Sequence, residues 1–334
     1  MTQNRPVRIA INGFGRIGRT IARQVLSTSC KDQFELVLIN DIAPLDNCTY
    51  LFRYDSVFGP YPGEVSGTAG RLNVNGDSIE FTNQHDLSSL DLSGVDVLLE
   101  CTGAVKNREI AERGLKAGAA NVLISGPAAD ADITLVLGAN EEQMGQARIV
   151  SNASCTTNAI APLVRLLDDE FGIQRGHVST VHCYTNSQPL IDAPRLSAAR
   201  SRAGALSMIP TTTSATDLVG EVLPKLNKRL TGAAIRVPVA SVSAIDAVLQ
   251  LSRFPEAGMG DFLETACAAS PILAATEDPV VSTDLRGRPE SLIVALPETM
   301  QVAEKQVRIM GWYDNEWGFS ARMLDMAQLM NNRD

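Results

Sequence analysis

Between an apolar run from Val7 to Asn12 and a helical pattern from Ile17 to Leu26 the chain reads Gly13-Phe14-Gly15-Arg16-Ile17-Gly18, and no other stretch narrows the possible folds as much. A second apolar run, Phe34 to Asn40, ends at Asp41. Near-continuous apolar runs of this kind are what a parallel sheet covered by helices on both faces requires, so the opening predicts a βαβ unit. In the turn, the first glycine permits the tight bend, the second lets backbone amides approach a pyrophosphate, and the helix N-terminus supplies partial positive charge. A carboxylate about twenty residues beyond such a motif accepts hydrogen bonds from ribose hydroxyls and repels a 2′-phosphate, so Asp41 predicts NAD over NADP. The bland alternative is a glycine turn with no ligand, and it leaves the strand, the helix and the acid as coincidence.

The following residues extend this pattern. Residues 71–81 alternate around Asn75-Gly76, which predicts a hairpin. Val95 to Glu100 and Asn121 to Ser125 read as further strands, separated by a helix at about 107–117 that stops at Gly118. From Ile149 the texture changes. Strand-like stretches at 176–184, 232–239, 241–251 and 305–313 are joined by long connections, which predicts a mainly antiparallel sheet. Residues 185–210 form a long irregular segment of the kind that serves function or assembly. Ser320 to Met330 is again helical in period. The expected fold is α/β: a Rossmann doubly wound parallel sheet plus an α+β catalytic domain with a mainly antiparallel sheet. The expected boundaries are 1–153 for the first domain, joined by a terminal helix at 318–334, and 154–317 for the second.

A length of 334 residues is more than one core usually supports, in line with two domains. The net charge of -9 argues against nucleic acid as a partner, because phosphate backbones are held by basic surfaces. An anionic substrate must then be met by a few local cations. No run is apolar for long enough to suggest a membrane span, and the start enters a strand directly, so a cytoplasmic protein without membrane contacts is expected. The six cysteines are scattered with no C-x-x-C pair, which predicts free thiols and no metal centre. Only His85, His177 and His182 are available for proton transfer near neutral pH.

One cysteine stands apart. Ser154, Cys155, Thr156 and Thr157 precede a helical pattern carried by Ile160, Leu163, Leu167 and Phe171, placing Cys155 at a helix N-terminus. Helix dipole and free amides there favour a thiolate and offer donors to an oxyanion. A lone cysteine is ordinarily a small buried hydrophobe, the reading adopted for Cys30, Cys48, Cys101 and Cys267, but Ser154, Thr156, Thr157 and Asn158 around Cys155 make a poor apolar pocket. A thiolate nucleophile needs a base. His182 lies in a β-branched strand, with Cys183 on the opposite face and read as core, while His85 sits in a polar loop and His177 at a strand entrance. Elimination favours His182. The acidic run Asp168, Asp169, Glu170 is read as a solvated helix face.

INGFGRIGR (11–19), SNASCTTN (151–158), the His182 strand, RVPV (236–239) and WYDNEWGFS (312–320) together resemble the glyceraldehyde-3-phosphate dehydrogenases in order and spacing over essentially the whole chain. The resemblance implies an NAD-dependent phosphorylating aldehyde dehydrogenase of glycolysis, usually a homotetramer, with Cys155 as nucleophile and His182 as its base. It implies Gly13, Gly15, Arg16, Ile17 and Gly18 along the pyrophosphate, Asp41 on the adenosine ribose, Thr102 and Ser125 near the cofactor, and Asn315 on the nicotinamide carboxamide. Thr185 and Arg236 resemble the site for the substrate phosphate; Ser154, Thr156, Thr213 and Ser214 resemble that for the attacking inorganic phosphate. Arg200 and Arg202 both fall in the loop where the family places a phosphate-binding arginine.

Departures from the family pattern bear on substrate. Thr213-Ser214-Ala215-Thr216-Asp217 stands where the family reads Thr-Gly-Ala-Ala-Lys, adding a side chain and reversing a charge beside the inorganic-phosphate site. Leu196-Ser197-Ala198-Ala199 replaces a Lys-Asp-Leu-Arg run, and Ala159 replaces a second cysteine. Erythrose-4-phosphate dehydrogenases share the same segments, so a four-carbon aldehyde with water resolving the thioester is the alternative activity. A member kept for binding or regulation is the non-catalytic one.

Overall fold

The computed structural model describes residues 5–27, 30–195 and 197–333; the opening residues 1–4, Leu196 of the neutral run and residue 334 of the expected terminal helix lie outside them. The chain divides into two compact units, residues 1–135, 142–153 and 320–334 forming one and residues 136–141 and 154–319 the other.

The first unit is built on a nine-stranded sheet. Its strands are β1 (Val7–Asn12), β2 (Phe34–Asn40), β3 (Val65–Thr68), β4 (Arg71–Val74), β5 (Asp77–Thr82), β6 (Val97–Glu100), β7 (Asn121–Ile124), β8 (Ile133–Thr134) and β9 (Ile149–Ser151). They lie in the order β3-β4-β5-β2-β1-β6-β7-β9-β8. β1, β2, β5, β6, β7, β8 and β9 pair in parallel, while β3-β4-β5 is an antiparallel excursion. The chain leaves β1 towards β2 and later returns to its other side through β6. This reversal is a topological switch point, where doubly wound sheets open a crevice at the carboxyl ends of their strands. The hairpin turns at Asn75 and Gly76, with φ of 49° and 89°, the left-handed pair that an Asn-Gly turn supplies at little cost. Every residue of β6 and β7 is buried, and Leu98, Val122, Ile124 and Ile149 pack with Ala111 from the helix Arg108–Lys116. That is why these strands read as unbroken apolar runs and not as alternating ones.

The helices are α1 (Arg16–Val25), α2 (Leu45–Arg53), α3 (Arg108–Lys116), α4 (Cys155–Phe171), α5 (Ala215–Val222), α6 (Met259–Ala268) and α7 (Trp317–Asn331). The second unit carries β10 (Ile173–Cys183), β11 (Ile209–Thr211), β12 (Leu230–Val237), β13 (Ser243–Leu251), β14 (Leu273–Thr276), β15 (Leu292–Ala295), β16 (Met300–Val302) and β17 (Gln306–Tyr313). Their order is β11-β12-β10-β13-β17-β15-β14, with β16 on β17. Most neighbours are antiparallel, as expected; β10-β12 and β14-β15 are parallel. The parallel register of β10 on β12 sets His182 beside Arg236.

Candidate active site

Cys155 is the first residue of α4, and the Ser154 side chain caps that helix by accepting from the Thr157 amide at 3.0 Å. An N-cap of this type satisfies one of the donors left open in the first turn, and the Cys155 amide bears on the sulfur of its own residue. The residue before the cap, Ala153, has φ of 54°. A left-handed non-glycine residue stores roughly 1–2 kcal/mol of strain, here beside the nucleophile. Cys155 is half-buried, and its Sγ lies 3.6 Å from Nε2 of His182. Thr156 is buried, and its hydroxyl pairs with the Tyr313 hydroxyl at 2.9 Å; the same Tyr313 oxygen lies 2.9 Å from Thr180 Oγ1. The Tyr313 ring meets His182 edge to face at 6.0 Å.

The electrostatics differ from the sequence expectation in one respect. A helix N-terminus was expected to lower the Cys155 pKa. Burial raises it instead, against the pull of the Arg236 charge, the Thr156 hydroxyl and the amides of Thr156 and Cys155. His182 is buried, and desolvation followed by the Arg236 charge lowers its pKa to about 4. Its Nδ1 lies 2.6 Å from Nη1 of Arg236 and 2.8 Å from the Cys183 carbonyl oxygen, and Arg236 also donates to that carbonyl at 3.0 Å. The other histidines have other surroundings: His85 is exposed, and His177 lies on the exposed side of β10, bonded to Thr231 at 2.9 Å.

Cys183 is buried, yet its thiol is not simple core, because it donates to Oδ1 of Asn315 at 3.2 Å, and the Ser243 hydroxyl donates to the same oxygen at 3.1 Å. Both contacts fix the Asn315 amide with its nitrogen free of them. Thr185 bonds Ser187 through its hydroxyl at 3.0 Å. Arg200 donates to Thr212 Oγ1 at 3.0 Å, beside Thr213, and lines a cleft of about 450 Å³ with Ser197, Pro210, Thr211 and Thr212. Arg202 points elsewhere and pairs with Asp192 at 2.7 Å. The Thr213 hydroxyl accepts from the Ala215 amide at 3.1 Å, Ser214 precedes α5, and Asp217 is exposed in its first turn.

In the first unit, a Cβ on Gly13, whose φ is 93°, would fall 2.7 Å from the Thr102 amide nitrogen, whereas one on Gly15 would meet nothing within 4 Å. The middle glycine thus borders open space at the N-terminus of α1, a cradle suited to a pyrophosphate. Gly18 packs against the Gly13 carbonyl and Ile11 with no room for a side chain. Asp41 accepts from the amides of Phe14 at 2.6 Å and Ala43 at 2.8 Å, so the acid also shapes the glycine turn. Arg16 pairs with Asp55, while Ile17 lies half-buried in the first turn of α1. The Thr102 amide donates to Glu100 at 3.0 Å, its hydroxyl bonds the same carboxylate, and the Ser125 amide donates to the Glu100 carbonyl at 3.0 Å. Sequence reasoning missed Glu100 and Tyr313 as supports of the site. A buried acid closing a strand was the available signal for Glu100; for Tyr313 there was only strand parity.

Among the described residues no group of acids, cysteines and histidines suits a metal ion. A family model described as glyceraldehyde 3-phosphate dehydrogenase, NAD binding domain, matches residues 7–108, and one described as glyceraldehyde 3-phosphate dehydrogenase, C-terminal domain, matches residues 154–315. The glyceraldehyde-3-phosphate dehydrogenase of Pseudomonas aeruginosa is 44% identical over 96% of this chain and 97% of its own length. That of Xanthobacter flavus is 43% identical over 97% and 98%, and glyceraldehyde-3-phosphate dehydrogenase 1 of Bacillus subtilis is 40% identical over 96% and 97%. The first half is an NAD-binding domain. With both halves matched in order and such relatives alike along nearly the whole length, the chain belongs to the glyceraldehyde 3-phosphate dehydrogenase family.

Proposed function

We propose that the protein oxidises glyceraldehyde 3-phosphate with NAD and inorganic phosphate to 1,3-bisphosphoglycerate, through a thioester on Cys155. The observation that carries this reading is the sulfur at the start of α4 within 3.6 Å of a buried imidazole, in a member of this family. Bound NAD supplies a hydride acceptor; Gly13, Gly15, Arg16, Ile17, Gly18, Asp41, Thr102, Ser125 and Asn315 are the residues assigned to hold it. The Cys155 sulfur, once deprotonated, adds to the aldehyde carbon. The developing oxyanion is assigned to the Cys155 amide at the start of α4, and such a donor is worth roughly 3–4 kcal/mol in a transition state. His182 takes up the proton of the reacting centre. Loss of hydride leaves the acyl group on Cys155, and phosphate expels the thiolate to give the acyl phosphate. Arg236 and Thr185 are assigned to the substrate phosphate. Arg200, Ser154, Thr156, Thr213 and Ser214 are assigned to the incoming one, and Arg202 drops from that site because Asp192 already engages it.

Asp217 in the first turn of α5 favours a second reading, since an acid there opposes an anion at the helix start. In that reading the aldehyde is erythrose 4-phosphate and water resolves the thioester. Steady-state NADH formation with each aldehyde, with and without inorganic phosphate, separates the two: dependence on phosphate with preference for the triose supports the first reading. Absence of NADH with either aldehyde overturns both. The family habit of assembling as homotetramers supports an oligomer, and we assign it to the cytoplasm; among the described residues no helix is long and apolar enough to cross a membrane.

A further inference from the structure

Four neighbouring strands of the first unit end on polar residues that share one row: β5 on Thr82, β2 on Asn40, β1 on Asn12 and β6 on Glu100, paired by register across the sheet. Asn40 and Glu100 are buried. Backbone groups at either end settle which way the protons of the row point. Asn40 accepts at Oδ1 from the Gln84 amide at 2.8 Å and donates through Nδ2 to the Gln84 carbonyl at 2.9 Å, so its side-chain amide cannot be turned over. The second Nδ2 hydrogen goes to Asn12 Oδ1 at 2.8 Å, which leaves Asn12 Nδ2 to donate to Glu100 Oε2 at 2.6 Å. From the other side, Thr102 Oγ1 accepts from the Ala104 amide at 3.1 Å, so its own proton is directed to Glu100 Oε1, where the Thr102 amide also donates at 3.0 Å. Both oxygens of Glu100 therefore have to accept.

We infer that Glu100 is a positioning residue of the coenzyme site, a carboxylate that ties the turn 101–104 across the switch point to β1 and β2 and so holds the wall of the glycine cradle on the side of β6. The inference rests on the assignment of Thr102 and the glycine turn to NAD. Wall and cradle touch, since the Cβ that Gly13 lacks would fall 2.7 Å from the Thr102 nitrogen. With the adenosine ribose assigned to Asp41 after β2 and the pyrophosphate to the turn after β1, the nicotinamide half falls to the β6 side of the crevice, where Thr102 stands. Thr102 itself is exposed, so solvent gives its turn no fixed shape and the buried acid beneath it does. An amide cannot stand in for that acid. At position 100 its NH2 would face either Asn12 Nδ2 or the donors of Thr102, donor against donor. Turning Asn12 over only passes the conflict to Asn40, which Gln84 holds from both sides. Buried polar networks that are satisfied throughout are rigid, and a single mismatch undoes that. One change repairs the mismatch on paper: Asn12→Asp beside Glu100→Gln gives the new NH2 an acceptor, keeps an acceptor for Asn40, and leaves an oxygen for both donors of Thr102, at the parent's net charge.

Calorimetric titration of the whole enzyme with NAD and with AMP tests this, because AMP reaches Asp41 and the cradle but has no nicotinamide half. Coulomb's law alone predicts that removing a negative charge near a pyrophosphate tightens the binding of NAD. The positioning role predicts the opposite sign: Glu100→Gln should bind NAD about tenfold more weakly, the scale of one lost charge-assisted hydrogen bond, and AMP within about twofold of the parent. In the double variant Asn12→Asp/Glu100→Gln the affinity for NAD should return to within about threefold of the parent, a coupling that independent losses of stability do not produce. Unchanged or tighter NAD binding in Glu100→Gln, an equal loss for NAD and AMP, or a double variant no better than the single one overturns the inference and leaves the coenzyme assignment standing. If the parent shows no saturable binding of NAD, the assignment of Thr102 and the glycine turn fails first, and the inference with it. Should Glu100→Gln not fold, the double variant decides alone: folded protein with NAD affinity near the parent's supports the role, and a double variant that is unfolded or weak overturns it.

Discussion

On the proposed reading the chemistry at Cys155 and His182 rests on two atoms 3.6 Å apart, and each can be removed singly. Replacing Cys155 by serine substitutes a hydroxyl far less acidic and less nucleophilic than the thiol, so NADH formation should fall by about a thousandfold or more while NAD binding persists. His182→Gln should lower the rate of the first turnover by roughly 10²–10⁴, the usual worth of a positioned base. His182 also couples to stability. Its folded pKa of about 4 lies below the ordinary 6.5, so between those values the unfolded chain binds the extra proton. Its contribution is therefore complete above pH 6.5 and lost as pH falls towards 4, by at most about 3 kcal/mol. Urea midpoints at pH 7 and pH 5 should diverge more for the parent than for His182→Gln; equal divergence would remove the histidine from the account. Both residues were legible in the chain itself, one from a helical pattern beginning at a polar cluster and the other from elimination among three histidines. Arg236 against His182 was not, because the register of one strand on another is a tertiary fact that no local pattern records.

At the scale of elements, the start of α4 is fixed by β17. The Tyr313 hydroxyl ties Thr156 to Thr180, and Tyr313→Phe leaves two buried hydroxyls short of a partner. A loss of about 1–3 kcal/mol in unfolding free energy is expected, with a smaller effect on the affinity for NAD. Tyr313 stood in a quoted motif without a role because an aromatic residue on a strand is ordinarily packing, and only its hydroxyl partners show otherwise. The loop between β10 and β11 makes a sharper comparison. Arg200 reaches Thr212 beside Thr213, whereas Arg202 is held by exposed Asp192. Arg200→Ala should raise the KM for inorganic phosphate by about tenfold, as loss of one charge-assisted contact implies, and Arg202→Ala should leave it within about twofold, as a surface ion pair is worth little. The reverse order would mean that the loop rearranges when phosphate binds. Sequence spacing could not separate two arginines two residues apart; their partners do.

For the whole molecule, the cofactor half was the more readable of the two, since continuous apolar strands, a glycine turn and a terminal acid all report on one architecture. The second half was less so: the parallel pairing of β10 with β12 and of β14 with β15 inside an otherwise antiparallel sheet depends on long connections whose course the sequence does not encode locally. The readable half yields a prediction on coenzyme choice that does not depend on catalysis. Ligand at about a hundred times its Kd stabilises the state that binds it by roughly 2.7 kcal/mol, so NAD should raise the melting temperature measurably and NADP should raise it less, given a carboxylate at Asp41 that repels the 2′-phosphate. Asp41→Asn keeps an oxygen to accept from the Phe14 amide and discards the charge. In that variant the NADP shift should approach the NAD shift, mainly by a gain for NADP. If both shifts instead vanish together, Asp41 acts chiefly through the glycine turn it braces, and the preference for NAD has to be sought in the shape of the ribose pocket.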